Sequence, residues 1–163
     1  MNYTKWLTRT GVLLALALVI QFLGFPQYIT GPLINMVLFV AAMVVGWGGV
    51  LIGGLTPWLA FVRGILPPPL APIIPFIILG NIILVIVYYL LRKQNNYLAI
   101  ILAAITKFAI LSYGVKSVAS LPPKVAQMMQ LPQLLTALVG GILALFLIKA
   151  LARTQFVDEF SKL

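Results

Sequence analysis

The sequence predicts an all-α integral membrane protein, a single domain over residues 1–163 with six transmembrane helices. Of its 163 residues, 63% are hydrophobic and only 8% are charged, whereas an ordinary soluble domain has about 25% charged residues. A transmembrane helix needs about 20 mainly apolar residues. Six such helices with short loops therefore account for nearly the whole chain, and no room is left for a second domain.

Proline, glycine and polar residues divide the apolar sequence into six segments. The first segment resembles a signal peptide, but it is long and no small-residue cleavage site follows Gln21, so we expect it to be retained. Thr56 and Pro57 predict a kink, the prolines at 67–75 predict a stiff extended loop, and residues 116–131 predict a connection with a short interfacial helix. The transmembrane helices are predicted at residues 5–23, 32–47, 50–66, 75–91, 97–115 and 132–151.

The basic residues lie mainly on one side of this arrangement. Lys5, Arg9, Arg92, Lys93, Lys149, Arg153 and Lys162 fall on one side, and Lys116 and Lys124 on the other. The side richer in Lys and Arg normally faces the cytoplasm, so both termini are predicted to be cytoplasmic. This topology explains the net charge of +9, and we expect no nucleic-acid partner.

Residue types that support catalysis, metal binding and proton coupling are nearly absent. The chain has no His and no Cys, and its only acids, Asp158 and Glu159, lie in the C-terminal tail. It therefore lacks a thiolate nucleophile and the usual nitrogen and sulfur metal ligands. It also lacks the intramembrane acids or His on which proton-coupled carriers rely. These absences argue against an enzyme, a metal site and a proton-coupled carrier.

Polar residues within the predicted helices gather in the outer half of the membrane. Asn35, Arg63 and Asn81 lie within two turns of the outer helix ends. Lys107 lies about 12 Å below the outer end of its helix, close to the bilayer middle. An intramembrane charge costs about 2.5–3.5 kcal/mol, so its default interpretation is functional. Because no intramembrane acid can pair with Lys107, its ammonium must contact carbonyls, water, a neutral partner or an anionic ligand.

Structural explanations compete for most of these residues. Arg63 is near enough to the membrane surface to snorkel. Asn35 and Asn81 are equally well explained as hydrogen-bonding contacts between helices. Gln133 and Thr136, in the first turns of the sixth helix, fit a structural role better than a ligand contact. For Lys107 we favour an anionic ligand or a water-filled pocket.

The ligand interpretation predicts an outward-facing pocket of defined chemistry. A pocket lined by amides and cations and lacking acids should prefer a carboxylate, a phosphate or an acceptor-rich ring. Tyr28 in the first loop and Tyr113 near the outer end of the fifth helix are candidates to stack on such a ring. A cationic ligand should be disfavoured.

The first helix carries a smooth face. Gly11 and Ala15 are four residues apart, a spacing of small residues that permits close approach of another helix. Most such pairs serve packing within one chain. The sharper interpretation is an interface with a second membrane protein.

Three sequence strings resemble a known family, the substrate-binding S components of energy-coupling factor (ECF) transporters, which take up vitamins in bacteria and archaea. They are Gly11-Val-Leu-Leu-Ala15 after a basic N-terminus, Thr30-Gly-Pro-Leu-Ile-Asn35 and Pro75-Phe-Ile-Ile-Leu-Gly-Asn81. Size, helix number and cytoplasmic termini agree. The resemblance implies high-affinity binding of a vitamin or related micronutrient from outside the cell membrane.

The resemblance also implies partners and a site. The chain would associate with a membrane coupling (T) protein and two cytoplasmic ATPases, which hydrolyse ATP for it. In that family an alanine-rich face of the first helix meets the coupling protein, and Gly11 here replaces the first alanine. The regions that enclose the ligand in the family contain Gln27, Tyr28, Asn81, Lys107, Tyr113 and Gln133 in this chain. Aromatic signatures for thiamin or riboflavin are not obvious, so no vitamin is named.

Two other functions stay open at this stage. The first is a stand-alone small carrier or facilitator for an organic anion, which would transport without partners. The second is a membrane enzyme that uses Lys107 as a nucleophile or base. A carrier without intramembrane acids, His or a phosphate-binding loop has no visible energy source of its own, which favours the S-component interpretation.

Overall fold

The computed structural model describes residues 2–118 and 121–153, and every regular element in these ranges is helical. Asp158, Glu159 and Lys162 lie outside the described residues, and Arg153 is the last residue inside them. The elements are α1 (Tyr3–Phe22), α2 (Gln27–Val44), α3 (Gly48–Val62), a 3₁₀ helix (Pro68–Ile73), α4 (Ile74–Leu91), α5 (Asn96–Ser117), α6 (Pro123–Met128) and α7 (Leu131–Arg153).

Most of these helices are long enough to cross a membrane. In the described part of the chain, five helical stretches have the necessary length and apolarity: Tyr3–Phe22, Gln27–Val44, Pro68–Leu91, Asn96–Ser117 and Pro123–Leu151. Helix α3 is apolar but has 15 residues, fewer than the roughly 17 that usually span a bilayer. The prediction of an all-helical membrane protein is confirmed. Six transmembrane helices and two cytoplasmic termini stay predictions, because the termini share a side only if α3 also crosses.

The start of α2 differs most from the predicted boundary. The helix begins at Gln27 rather than at residue 32. Pro26 precedes it with a fixed φ of −55°, and the Pro26 carbonyl accepts backbone hydrogen bonds from Ile29 and Thr30 at 2.8 and 3.0 Å. Proline suits a helix start, because it has no N–H that would need a partner there. Consequently Tyr28 lies on a helix rather than in the predicted first loop.

The proline-rich segment after α3 is folded rather than extended. The sequence predicts a stiff extended loop at residues 67–75, whereas the structure forms the 3₁₀ helix Pro68–Ile73. Leu70 and Ile73 are buried in a small apolar cluster with Met129, which lies between α6 and α7. Burying apolar surface is favourable by about 25 cal/mol per Å². This burial holds the segment against one end of the helix bundle.

Helix α3 continues through the predicted kink at Thr56 and Pro57. The Pro57 ring removes the N–H that would bond the Gly53 carbonyl. Thr56 Oγ1 donates to the Ile52 carbonyl at 2.7 Å, and Asn81 Nδ2 of α4 approaches the Gly53 carbonyl at 3.5 Å. The proline therefore creates a free carbonyl on α3 that orients a polar side chain of α4.

Helix α7 is wedged between α2 and α5 through two adjacent glycines. A Cβ at Gly140 would lie 2.6 Å from Asn35 Cβ and 2.7 Å from the Pro32 carbonyl oxygen of α2. A Cβ at Gly141 would lie 2.5 Å from Ile100 Cγ2 of α5. Only glycine permits both approaches at these distances. The two glycines thereby hold α7 close to α2, which carries Asn35, and close to α5, which carries Lys107.

The two ends of the bundle differ in their connections. At one end, Trp6 Nε1 donates to the Val45 carbonyl at 2.9 Å and an Arg92 guanidinium nitrogen donates to the Met43 carbonyl at 3.0 Å. This end holds the N-terminus of α1 and the α2–α3 and α4–α5 turns. The opposite end holds the α1–α2 connection, the 3₁₀ helix and α6.

Candidate functional site

A cavity of about 300 Å³ lies at the end of the bundle that holds the 3₁₀ helix and α6. Its polar side chains come from five helices, and α3 contributes Pro57. The lining consists of Gln21, Gly24, Phe25, Gln27, Thr30, Gly31, Ile34, Asn35, Pro57, Ile65, Leu66, Pro67, Leu70, Ile77, Asn81, Lys107, Met128, Met129 and Gln133.

Lys107 is the only charged residue of this lining. It lies on α5 and is 3% exposed, and its Nζ donates to Asn35 Oδ1 at 2.7 Å, a short distance typical of a charge-assisted hydrogen bond. The aliphatic stem passes Gly80 of α4, where a Cβ would lie 3.3 Å from Lys107 Cγ. No carboxylate exists within residues 2–118 and 121–153. Asn35 is thus a neutral partner for a buried cation.

The Asn35 side chain is held on all sides. Its Nδ2 donates to the Gly31 carbonyl at 2.9 Å and to Thr136 Oγ1 of α7 at 3.4 Å. Thr136 Oγ1 in turn donates to the Gln133 carbonyl at 3.1 Å. With its amide nitrogen engaged, Asn35 must present Oδ1 to Lys107. This fixes the position of the ammonium group, and through Asn35 it connects α5 with α2 and α7.

Two other buried carboxamide oxygens of the lining have no hydrogen-bond donor among the described residues. They are Oδ1 of Asn81, whose side chain is 4% exposed, and Oε1 of Gln21. The single bond of the Asn81 amide, to the Gly53 carbonyl, has a length of 3.5 Å, which is beyond the usual range for a strong N–H···O bond. Asn81 is therefore a weak contact between α3 and α4.

Part of the cavity lining is apolar. The 3₁₀ helix supplies Leu70, and the segment after α6 supplies Met129, whose sulfur lies 3.9 Å from Gln133 Nε2. Met128 and Leu66 extend this apolar wall. Methionine is flexible and polarisable and adapts to irregular shapes. The cavity thus combines an apolar wall with one buried cation and several amides, which suits a small molecule with a polar end.

Five of the eight ligand-binding residues predicted from the sequence line the cavity: Asn35, Asn81, Lys107, Gln27 and Gln133. The other three do not, and all of them are exposed in this structure. Tyr28 points outward from the first turn of α2, Tyr113 packs its ring against Phe76 at a centroid distance of 6.2 Å, and Arg63 follows the last residue of α3. A ligand contact by these three stays a prediction.

Several lining residues were not predicted as site residues. Gln21 and Thr30 flank the α1–α2 connection, Met128 is the last residue of the short helix α6, and Met129 follows it. Gln21 is the one amide in the otherwise apolar last turns of α1, a signal that the sequence does contain. The methionines join the site only because α6 folds back over the bundle, which no local pattern indicates.

Gly11 and Ala15 lie on the exposed side of α1. A Cβ at Gly11 would meet no atom within 4 Å. On the same helix, Ala17 and Ile20 are buried against the bundle. The predicted small-residue face is therefore unused by packing within the described chain.

Comparison with known proteins agrees with this description of the molecule. The family model for the ECF transporter, substrate-specific component, matches residues 5–152, from the first turn of α1 almost to the end of α7. No curated protein and no solved structure gives a significant match. Because the match runs through all the helices that build the cavity, the chain belongs to the substrate-specific components of ECF transporters, membrane-embedded transport subunits that bind the substrate and are not themselves enzymes.

Proposed function

We propose that this chain binds a vitamin or related micronutrient that carries a carboxylate, a phosphate or another acceptor group, in the cavity around Lys107. The chain would work in the cell membrane of a bacterium or archaeon, with the cavity facing outward. Asn35, Asn81, Gln27 and Gln133 would complete the polar part of the site.

The observation that carries the proposal is a buried ammonium without an acid. Asn35 Oδ1 accepts one of the three N–H bonds of Lys107 Nζ, and the described chain offers no second acceptor within hydrogen-bond distance. Burying a charge costs free energy unless the charge is paired. An anionic or acceptor-rich ligand in the cavity would supply that pairing, and a cationic ligand would be repelled.

The size of the cavity supports a small ligand. Ligand pockets commonly measure about 300–1,000 Å³, and this one, at about 300 Å³, lies at the lower end. A ligand with one ring and one anionic substituent fits such a volume. The apolar wall around Leu70 and Met129 would cover the ring, and its burial would add affinity that does not depend on charge.

Transport would depend on a coupling protein and two cytoplasmic ATPases. The membership of the chain in the ECF family implies these partners, and the exposed strip at Gly11 and Ala15 is the surface that we assign to the coupling protein. Small residues allow another helix to approach closely, and no atom of the described chain covers Gly11.

The first test is mass spectrometry of small molecules retained by the purified protein after incubation with a panel of vitamins and related micronutrients. We expect the wild type to retain one anionic or acceptor-rich compound and Lys107→Met to lose it. Lys116→Met is the matched control, because Lys116 is an exposed residue of the same helix. A wild-type protein that retains nothing, or a Lys107→Met variant that retains the same compound, would contradict the proposal.

A second test separates the importer subunit from a stand-alone carrier of organic anions. The retained compound, isotopically labelled, is offered to liposomes that contain the chain alone or the chain with its coupling protein and ATPases. We expect uptake only in the second case and only with ATP. Uptake by the chain alone would favour the stand-alone carrier.

A further inference from the structure

Two side-chain amides of the cavity lining each have a buried oxygen without a hydrogen-bond donor among the described residues. Asn81 Oδ1 is buried and accepts no hydrogen bond from the described residues, and the same is true of Gln21 Oε1. Both residues line the cavity that contains Lys107. A buried acceptor without a donor loses its hydration and gains nothing in exchange, so native structures rarely leave one without a reason.

The orientation of the Asn81 amide follows from its surroundings. Nδ2 faces the Gly53 carbonyl, which Pro57 leaves without its helical N–H partner. Turning the amide over would place two carbonyl oxygens against each other. The unpaired atom of Asn81 is therefore its oxygen, and the group that would satisfy it must be a donor.

Building on the proposed function, we propose that the ligand is a small heterocycle with ring N–H donors, of the lactam, ureide or purine-like class. Its anionic or acceptor group would face Lys107, and its N–H groups would donate to Asn81 Oδ1 and Gln21 Oε1. In this arrangement the protein supplies one charged hydrogen-bond donor, Lys107, and two neutral acceptors, Asn81 Oδ1 and Gln21 Oε1.

Such a site selects strongly against molecules that lack the donor. A site built to hydrogen-bond a ligand N–H rejects an analogue without it by large factors, because the buried protein acceptor stays unpaired. N-methylation of the ring removes the donor and adds a methyl group at the same point. A simple carboxylate such as benzoate satisfies Lys107 but leaves Asn81 and Gln21 unpaired.

The experiment is isothermal titration calorimetry on the purified full chain with defined probes. The probes are orotate, pyroglutamate and hypoxanthine, the N-methylated form of each, and benzoate. We expect at least one parent compound to bind about 100-fold or more tightly than its N-methylated form and than benzoate. In Asn81→Leu this discrimination should fall at least about tenfold, whereas Gln94→Leu, an amide removed from an exposed turn at the other end of the bundle, should keep it.

Each other outcome overturns the inference. If the N-methylated compounds or benzoate bind as tightly as the parent compounds, the site does not recognise a ring N–H donor, and the inference fails. The proposed function would still stand in that case if the binding of benzoate depends on Lys107. Unchanged discrimination in Asn81→Leu would show that Asn81 does not accept the donor. Absence of binding by every probe would reject the ligand class, and the retention experiment shows separately whether the proposed function fails as well.

Discussion

Replacing Asn35 by Leu would remove the only acceptor that holds the Lys107 ammonium in the described structure, at 2.7 Å. Leu keeps the branching of the Asn side chain at Cγ, so the Cβ contact with Gly140 is retained and the main loss is electrostatic. A hydrogen bond to a charged group contributes about 1.5–3 kcal/mol, and leaving one partner of a buried ion pair alone costs about 3–5 kcal/mol. Because Asn35 is neutral, we expect the free energy of unfolding to fall by about 3 kcal/mol.

The reciprocal substitution should be much less harmful. Lys107→Met leaves Asn35 Oδ1 without a donor, which costs about 1–3 kcal/mol, but it also removes the buried charge. We expect a net change within about 1 kcal/mol. The double variant replaces both partners by apolar groups, so it should be more stable than Asn35→Leu alone by about 2 kcal/mol.

The assay is reversible unfolding of the four ligand-free proteins in mixed detergent micelles, followed by the fluorescence of the three tryptophans. A double-mutant cycle then gives the coupling energy of the pair. The reasoning is refuted if Asn35→Leu is as stable as the wild type, or if the double variant is no more stable than Asn35→Leu.

Three further predictions concern the helix contacts, the partner face and the outlying site residues. Gly140→Val should prevent folding or abolish ligand retention, because its Cβ would lie 2.7 Å from a carbonyl oxygen of α2. Gly54→Ala is the control: the nearest atom to its Cβ would be 3.6 Å away, so this variant should behave like the wild type in the retention and unfolding assays. Gly11→Leu should leave unfolding unchanged but reduce copurification of the coupling protein at least about tenfold; undiminished copurification would contradict the assigned interface. The sequence predicts that Tyr28 and Tyr113 stack on the ligand, whereas the structure places both outside the cavity lining. From the structure, Tyr28→Ala and Tyr113→Ala should change ligand affinity less than about twofold by calorimetry, and a larger loss would support the stacking prediction.

The sequence was sufficient to predict the helical membrane fold and the meeting of polar groups from several helices. Hydrophobic runs separated by Pro and Gly identify membrane helices because the bilayer leaves few other backbone structures possible. Lys107 and Asn81 were predicted as site residues because an intramembrane charge or amide in an apolar helix is conspicuous. Their meeting in one cavity could be predicted from their positions along the helices, because residues at similar distances from the same end of a helix bundle lie at the same level.

Rotation of side chains about a helix and the folding of loops were not predictable in the same way. Tyr28 was assigned to a loop, but a helix start after Pro26 turns it away from the cavity. The prolines before α4 predict an extended chain, but the segment forms a 3₁₀ helix, which buries Leu70 and Ile73. Such outcomes depend on contacts with distant residues such as Met129, which no local pattern contains.

The paired glycines of α7 have a consequence for how fast a ligand leaves. Gly140 fits against α2 and Gly141 against α5 without space for a methyl group on either side, so these three helices cannot slide past one another while remaining packed. We therefore expect any movement that accompanies ligand entry or exit to involve the 3₁₀ helix, α6 or the α1–α2 connection. The residence time of the ligand is accordingly a property of the surface segments, and substitutions there should alter the dissociation rate while leaving the polar contacts of the bound state unchanged.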